Sequence, residues 1–233
     1  MDVDNQPAPL ANVSASSVEE IQRLCKECLD TVSVDGGGVS LMTSRGHAGT
    51  LWSSDSVAAR VEELQFTLGE GPCFDATSSG TPVLIADVQD RHEGVGSRWP
   101  GFLSELAAMQ VRAIFGLPLR VGSIRLGAMD LYRHEPGPLT RPELSSALRT
   151  ADAATHALLD LGAGGPAQDN EAAGSSYRFR VHQATGMMML QLSISIQEAL
   201  AQLRATAYSE QRSIDEIAAD VVERRRRFSK EDL

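Results

Sequence analysis

The sequence has no long apolar run, and this excludes the simplest membrane architecture. No segment approaches 18 uninterrupted apolar residues, the minimum for a transmembrane helix. The first residues, MDVDNQPAPLANVSASS, are acidic and lack the basic and apolar regions of a signal peptide. We therefore expect a cytoplasmic protein that makes no membrane contact.

Cysteine is also scarce, with three residues in 233. This odd number cannot form a complete disulfide framework and fits a reducing compartment. Cys25 and Cys28 have the Cys-x-x-Cys spacing of some metal sites, but no second pair of ligands follows, so we interpret them as core residues. The five histidines have no metal-ligand spacing, and no phosphate-binding loop or catalytic triad motif is present. We expect no metal, no cofactor and no enzymatic activity.

The charge is negative overall but unevenly distributed. The net charge is −10, and residues 1–175 hold 12 Lys/Arg against 23 Asp/Glu, a net of −11. Residues 176–233 hold 9 against 8, a net of +1. The acidic part argues against a general nucleic-acid binder, whereas the C-terminal part can approach a phosphate backbone without strong repulsion.

A stretch of Gly, Ala and small polar residues, LGAGGPAQDNEAAGSS, divides the chain because its composition cannot build a core. We predict two domains with flanking segments. The predicted division is a disordered tail over 1–16, a first domain over 17–161, a linker over 162–175, a second domain over 176–228 and a tail over 229–233.

The first domain alternates helix and strand signals. Apolar residues recur at helical spacing near residues 17–30 and 139–161, and short strands flank the turns at residues 45–47 and 122–123. The stretch TPVLIADV is predicted as a further strand. Pro72 suits the first position of a helix that Gly80 ends. These elements predict an α+β domain in which helices flank an antiparallel sheet.

Several short sequence motifs in this domain resemble those of a GAF domain, a family of signal-sensing and dimerising modules that are usually not enzymes. They are LGEGPCFDA, GTPVLIADV, RWPGF and the closing hairpin IFGLPLRVGSIRLGAMDLYR. The resemblance covers about residues 17–161 and implies an unidentified small-molecule or protein signal. The large side chains of this domain either line a ligand pocket or pack its core. Cys73 is either a packing residue or a reactive thiol near a helix N-terminus. The candidate ligand-pocket residues are Trp52, Phe66, Cys73, Trp99 and Phe115.

The second domain contains two capping boxes, Ser195 with Glu198 and Ser213 with Glu216. Each opens an apolar run at helical spacing, and a further helix precedes them over residues 181–190. We predict an all-α three-helix unit, which buries little surface alone and is therefore expected to pack against a dimer partner or a preceding coil.

A helical wheel places Gln197, Ala201, Arg204 and Tyr208 along one flank of the second of these helices. An arginine can contact a phosphate or a base edge, a tyrosine can stack on an unpaired base, and the small alanine allows close approach. The alternative is an ordinary solvated helix flank.

The spacing QATGMMMLQLSISIQEALAQLRATA…SIDEIAADVV resembles the ANTAR domain, the RNA-binding module of bacterial antitermination regulators. The resemblance implies a homodimer that binds paired RNA stem-loops overlapping a terminator. The resemblance also implies RNA contacts from five residues of the first of the three helices, in addition to the flank of the second helix. One of these five, Thr185, stands where many family members have a lysine. The matching positions are Ala184, Gly186, Met187, Met188, Ser195, Ala199, Leu203, Arg204, Ala207, Ile214, Ile217, Ala218 and Val222. The candidate RNA-binding residues are Arg180, Gln183, Ala184, Thr185, Gly186, Gln197, Ala201, Arg204 and Tyr208.

Two alternative functions remain for the C-terminal domain, and the role of its arginine run is also open. A DNA-binding helix-turn-helix is disfavoured by the wide turn YSEQRS and by the acidic third helix. A signalling or dimerisation protein whose helical tail binds a protein is favoured by the adaptable methionines after Gly186. The run ERRRRF, residues 223–228, is either a set of phosphate contacts or a solvated tail.

Overall fold

The computed structural model describes residues 15–43, 46–90, 98–162 and 173–229. The N-terminal domain is a five-stranded antiparallel sheet, in the order β2-β1-β5-β4-β3, with helices on both faces. In chain order its elements are α1 (Ala15–Thr31), β1 (Gly36–Thr43), β2 (Gly46–Ser53), α2 (Ser56–Leu68), α3 (Pro72–Ser79), β3 (Val83–Ile85), α4 (Pro100–Ala108), β4 (Ala113–Val121), β5 (Ile124–Arg133) and α5 (Arg141–Gly162).

Strand alternation sends neighbouring residues to opposite faces of this sheet. Phe115 and Leu131 join the apolar core beneath α1 and α5, whereas Ile114 and Tyr132 join the core beneath α2, α3 and α4. α3 lies so close to the sheet that a Cβ on Gly116 would sit 2.8 Å from the Pro72 carbonyl oxygen. The central strands are therefore covered on both sides.

The C-terminal domain contains three helices, α6 (Ala173–Leu192), α7 (Ile196–Ser209) and α8 (Ile214–Val222). Both predicted capping boxes are confirmed: Ser195 and Ser213 each accept from the N3 amide, and Glu198 and Glu216 each accept from the cap amide. Phe228 folds back after α8 into the core of this domain, and its N–H donates to Gln191 Oε1 at 2.9 Å.

The predicted fold class is confirmed, with three differences in detail. β3 covers three residues instead of the eight of TPVLIADV, because this edge strand pairs only with β4 and leaves the ladder after Ile85. α1 begins at Ala15, inside the predicted tail, and α6 begins at Ala173, inside the predicted linker. The rest of the predicted tails and linker, residues 1–14, 163–172 and 230–233, lies outside the described residues. Among the helices of the described ranges, none is both long and apolar enough to cross a membrane.

Candidate sensor and RNA-binding surfaces

One flank of α7 carries the predicted stripe. The opposite side of α7 is buried through Ala199 and Leu203, so the helix has a fixed orientation on the domain. Gln197 and Ala201 are exposed, and Tyr208 is a large aromatic side chain with 73% of its surface accessible. An exposed phenol ring on a fixed helix is suited to stack on an unpaired base.

The candidate residues of α6 divide between surface and core. Gln183 is exposed and Gly186 is half-buried. Ala184 and Thr185 are 0% and 1% exposed, so their side chains do not reach the surface as RNA contacts would require. The Thr185 hydroxyl donates to the Val181 carbonyl at 2.7 Å, which satisfies a polar group inside a helix core.

Arg180, Arg225 and Arg226 form ion pairs within the domain. Arg180 lies 2.7 Å from Asp215 and joins α6 to α8. Arg226 pairs with Glu210 at 2.6 Å and lies over the Phe228 ring, while Arg225 pairs with Asp220 at 2.8 Å. The tail after α8 is therefore packed against the domain, and neither sequence interpretation of ERRRRF included this packing.

Arg204 differs from the rest of the stripe because it contacts the N-terminal domain. Its Nη2 and Nε donate to the Phe66 carbonyl oxygen at 2.6 and 3.1 Å. The Phe66 side chain is completely buried and belongs to the apolar core of the three-helix domain. A cleft of about 680 Å³ adjoins this contact, with Arg60, Glu105 and Tyr208 in its walls.

The candidate ligand-pocket residues are not brought together. Trp52 and Phe115 fill the core beneath α1 and α5, Trp99 fills the core beneath α2 and α4, and Phe66 fills the core of the three-helix domain. Cys73 is buried at the start of α3. These side chains pack three separate cores and do not line one cavity, which corrects the sequence-based grouping.

A buried polar cluster, absent from the sequence-based candidates, lies between α2 and the sheet. It consists of Ser40, Glu62, Gln65 and Asp130, each at most 2% exposed. Gln65 Nε2 donates to Asp130 Oδ2 at 2.6 Å, and the Ser40 hydroxyl donates to Glu62. The available signal was an aspartate inside an otherwise apolar strand, AMDLY.

Burial raises the pKa values of several titratable side chains in the N-terminal domain. It raises the pKa of Asp130 well above its usual range, and the Glu62 carboxylate acts in the same direction. Burial, with the charges of Asp130 and Glu62, also raises the pKa of Cys73, which therefore stays a thiol at neutral pH. Cys25 is likewise a core thiol, since burial raises its pKa to about 12. These cysteines pack the structure and do not supply thiolates.

A helix-covered antiparallel sheet joined to a capped three-helix domain defines a two-domain protein. The chain belongs to the GAF domain family, whose model matches residues 18–158, and the ANTAR domain model matches residues 176–222. The resemblances inferred from the sequence are thereby confirmed. A GAF domain implies signal sensing, and an ANTAR domain implies an RNA-binding antitermination regulator.

Solved structures confirm the N-terminal fold. The GAF domain of a phosphoenolpyruvate-protein phosphotransferase from Coxiella burnetii is 13% identical, with a TM-score of 0.52, and the match covers 64% of this chain and 86% of that one. A GAF domain region from Geobacter sulfurreducens PCA is 15% identical, with a TM-score of 0.51, and the match covers 62% of this chain and 94% of that one. A search of curated proteins found no match to the chain.

Proposed function

We propose that this protein is a signal-responsive regulator that promotes transcription antitermination by binding paired RNA stem-loops which overlap a terminator. Two stem-loops require two modules, so the acting species is a homodimer, and its place of action is the cytoplasm. The signal is a small molecule or a protein received by the GAF domain. When both stem-loops are held, the terminator hairpin cannot form and RNA polymerase continues.

The exposed stripe of α7 within the matched ANTAR domain carries this proposal. Gln197, Ala201 and Tyr208 form an accessible surface on a helix whose start is fixed by a capping box. Single-stranded loop bases are readable by stacking and by contacts to base edges, whereas the deep major groove of an A-form stem is not. The nearly neutral net charge of residues 176–233 supports an approach to phosphates.

We propose no catalytic role for either domain. This proposal is supported by two features of the GAF domain: the Glu62 and Asp130 carboxyls are buried, and Cys73 is a buried, protonated thiol.

A second candidate function is protein binding through the C-terminal domain. It is supported by Leu190, a large apolar side chain on α6 with 76% of its surface accessible, beside the half-buried Met187 and Met189. An exposed leucine of this kind fits a protein interface better than an RNA interface.

A gel-shift titration with a tandem-hairpin RNA tests the proposed function. We expect Tyr208→Ala to weaken RNA binding by about 5- to 150-fold, the range for one lost base-stacking contact. Leu190→Ala is the matched control, since it truncates an exposed side chain outside the stripe. Equal affinity of Tyr208→Ala and wild type would remove the stripe from the interface. A protein partner lost only in Leu190→Ala would favour the second function.

A further inference from the structure

We propose that the GAF domain inhibits RNA binding directly, by holding Arg204 of the RNA-binding stripe against the C-terminal end of α2. This inference rests on the proposed function and names how the same surface is regulated. It requires no further domain or partner, because both halves of the contact belong to this chain.

The geometry of the contact favours a specific interaction over accidental proximity. The last carbonyls of a helix lack intrahelical donors and carry the negative end of its dipole, so a guanidinium is a favourable cap there. Arg204 donates to the Phe66 carbonyl through Nη2 at 2.6 Å and through Nε at 3.1 Å. Its guanidinium carbon also lies 5.9 Å from the centre of the Phe66 ring.

Phe66 anchors the same contact from the other side. Its ring is fully buried in the apolar core of the three-helix domain and meets His182 of α6 edge-on, with 6.2 Å between ring centres. The sensor thus inserts a side chain into the output module next to the carbonyl that binds Arg204. An arginine held in this way has its Nε–Nη2 edge occupied, so that edge cannot form a two-bond contact with an RNA phosphate or base edge at the same time.

The cleft beside this contact is too small for the proposed RNA. It has a volume of about 680 Å³, which suits a small ligand, and Arg204 and Tyr208 both lie in its wall. A stem-loop that engages the whole stripe must therefore approach from outside and must compete with α2 for Arg204. Separation of α2 from α7 would release the arginine and open the cleft.

Gly69 provides a way to break the contact without changing Arg204. This glycine ends α2 with φ of +69°, and a Cβ added to it would lie 2.4 Å from Arg204 Nη1, so the guanidinium must move. Gly80 is the matched control, because it ends α3 with φ of +70°. A Cβ on Gly80 would meet only the Arg120 side chain, at 3.4 Å. Gly69→Ala and Gly80→Ala therefore introduce the same backbone strain at two helix ends, and only the first displaces Arg204.

The test compares wild type, Gly69→Ala, Gly80→Ala and Arg204→Ala as full chains with two measurements. The first is the rate at which phenylglyoxal modifies Arg204, followed by peptide mass spectrometry with the exposed Arg227 as internal reference. The second is affinity for a tandem-hairpin RNA. We expect Gly69→Ala to accelerate modification of Arg204 and to tighten RNA binding by roughly tenfold, the effect of one charge-assisted hydrogen bond. Gly80→Ala should match wild type, and Arg204→Ala should bind RNA more weakly than wild type.

Two results would overturn the inference. One is unchanged modification of Arg204 in Gly69→Ala, which would mean that the contact does not hold the arginine. The other is faster modification without tighter RNA binding, while Arg204→Ala still weakens binding. Loss of detectable RNA binding in all four proteins would instead overturn the proposed function, and the modification rates would still report whether α2 holds Arg204.

Discussion

Gln65 connects two elements of the sensor through the two ends of its side-chain amide. Its Nε2 donates to Asp130 Oδ2 of β5 at 2.6 Å, and its Oε1 accepts from the Cys73 N–H at the start of α3 at 2.8 Å. A buried amide with both ends satisfied fixes α2 relative to the sheet and to α3. The Gln65–Asp130 hydrogen bond therefore ties α2 to β5.

Asp130→Asn should stabilise the protein increasingly as the pH rises. The folded-state pKa of Asp130 is raised by burial and by Glu62, while an unfolded aspartate titrates near pH 3.9. The stability that protonated Asp130 contributes is complete below about pH 4 and is lost as the pH rises toward the folded-state pKa. Asparagine keeps the acceptor for Gln65 and removes this charge.

Thermal unfolding at several pH values measures this effect. We expect Asp130→Asn and wild type to unfold at similar temperatures near pH 4, and the variant to unfold a few degrees higher at pH 7, since about 1 kcal/mol shifts Tm by about 2–4 °C at this chain length. Asp152→Asn, an exposed site on α5, is the control. A difference that stays constant with pH would contradict the role given to Asp130.

Glu143 should have the opposite pH dependence. Its carboxylate accepts from the Thr140 N–H at 2.7 Å and from Arg133 Nη2 at 2.9 Å. Hydrogen bonds from Thr140, with smaller contributions from Ser33 and Arg133, lower the pKa of Glu143 to about 2. The stability it contributes is present above about pH 4.5 and is lost as the pH falls toward 2.

We expect Glu143→Gln to lower the free energy of unfolding by about 1–3 kcal/mol at pH 7, because it weakens charge-assisted hydrogen bonds at the start of α5. The difference from wild type should shrink as the pH falls from 4.5 to 2. Urea unfolding at pH 7, 4 and 3 checks this trend, with the exposed Glu19→Gln as control. An equal deficit at all three pH values would mean that the ionised form of Glu143 has no special role.

Gly186→Ala should stabilise the protein and at the same time weaken its RNA binding. A Cβ at this position meets nothing within 4 Å, so packing within the described structure does not require glycine. Alanine should stabilise α6 by about 0.5–1 kcal/mol. We expect RNA affinity to fall nonetheless, because the added methyl would meet RNA that approaches the open surface of α6.

Thermal unfolding and gel shift on the same Gly186→Ala preparation make this comparison, with Leu190→Ala as a control on the same helix. Increased stability with unchanged RNA affinity would show that no RNA approaches Gly186.

Local chemistry made much of the fold predictable. The two capping boxes and the Pro72 and Gly80 boundaries of α3 depend on residues within a few positions of one another, and all were confirmed. The candidate site was less predictable, because burial depends on distant partners. Helical position alone did not show that Thr185 faces the core and bonds to Val181. Arg204 and Phe66 are 138 positions apart, and no local pattern reports their contact.

α2 presents two consecutive residues to two different domains: Gln65 to the polar cluster of the sensor and Phe66 to the core of the RNA-binding module. Because α2 contacts both domains, a movement of this helix affects both of them whatever the length of the linker. Thermodynamic linkage makes its action reciprocal: if a signal that moves α2 changes RNA affinity by some factor, bound RNA must change the affinity for the signal by the same factor. The transcript then acts as an effector of the sensor.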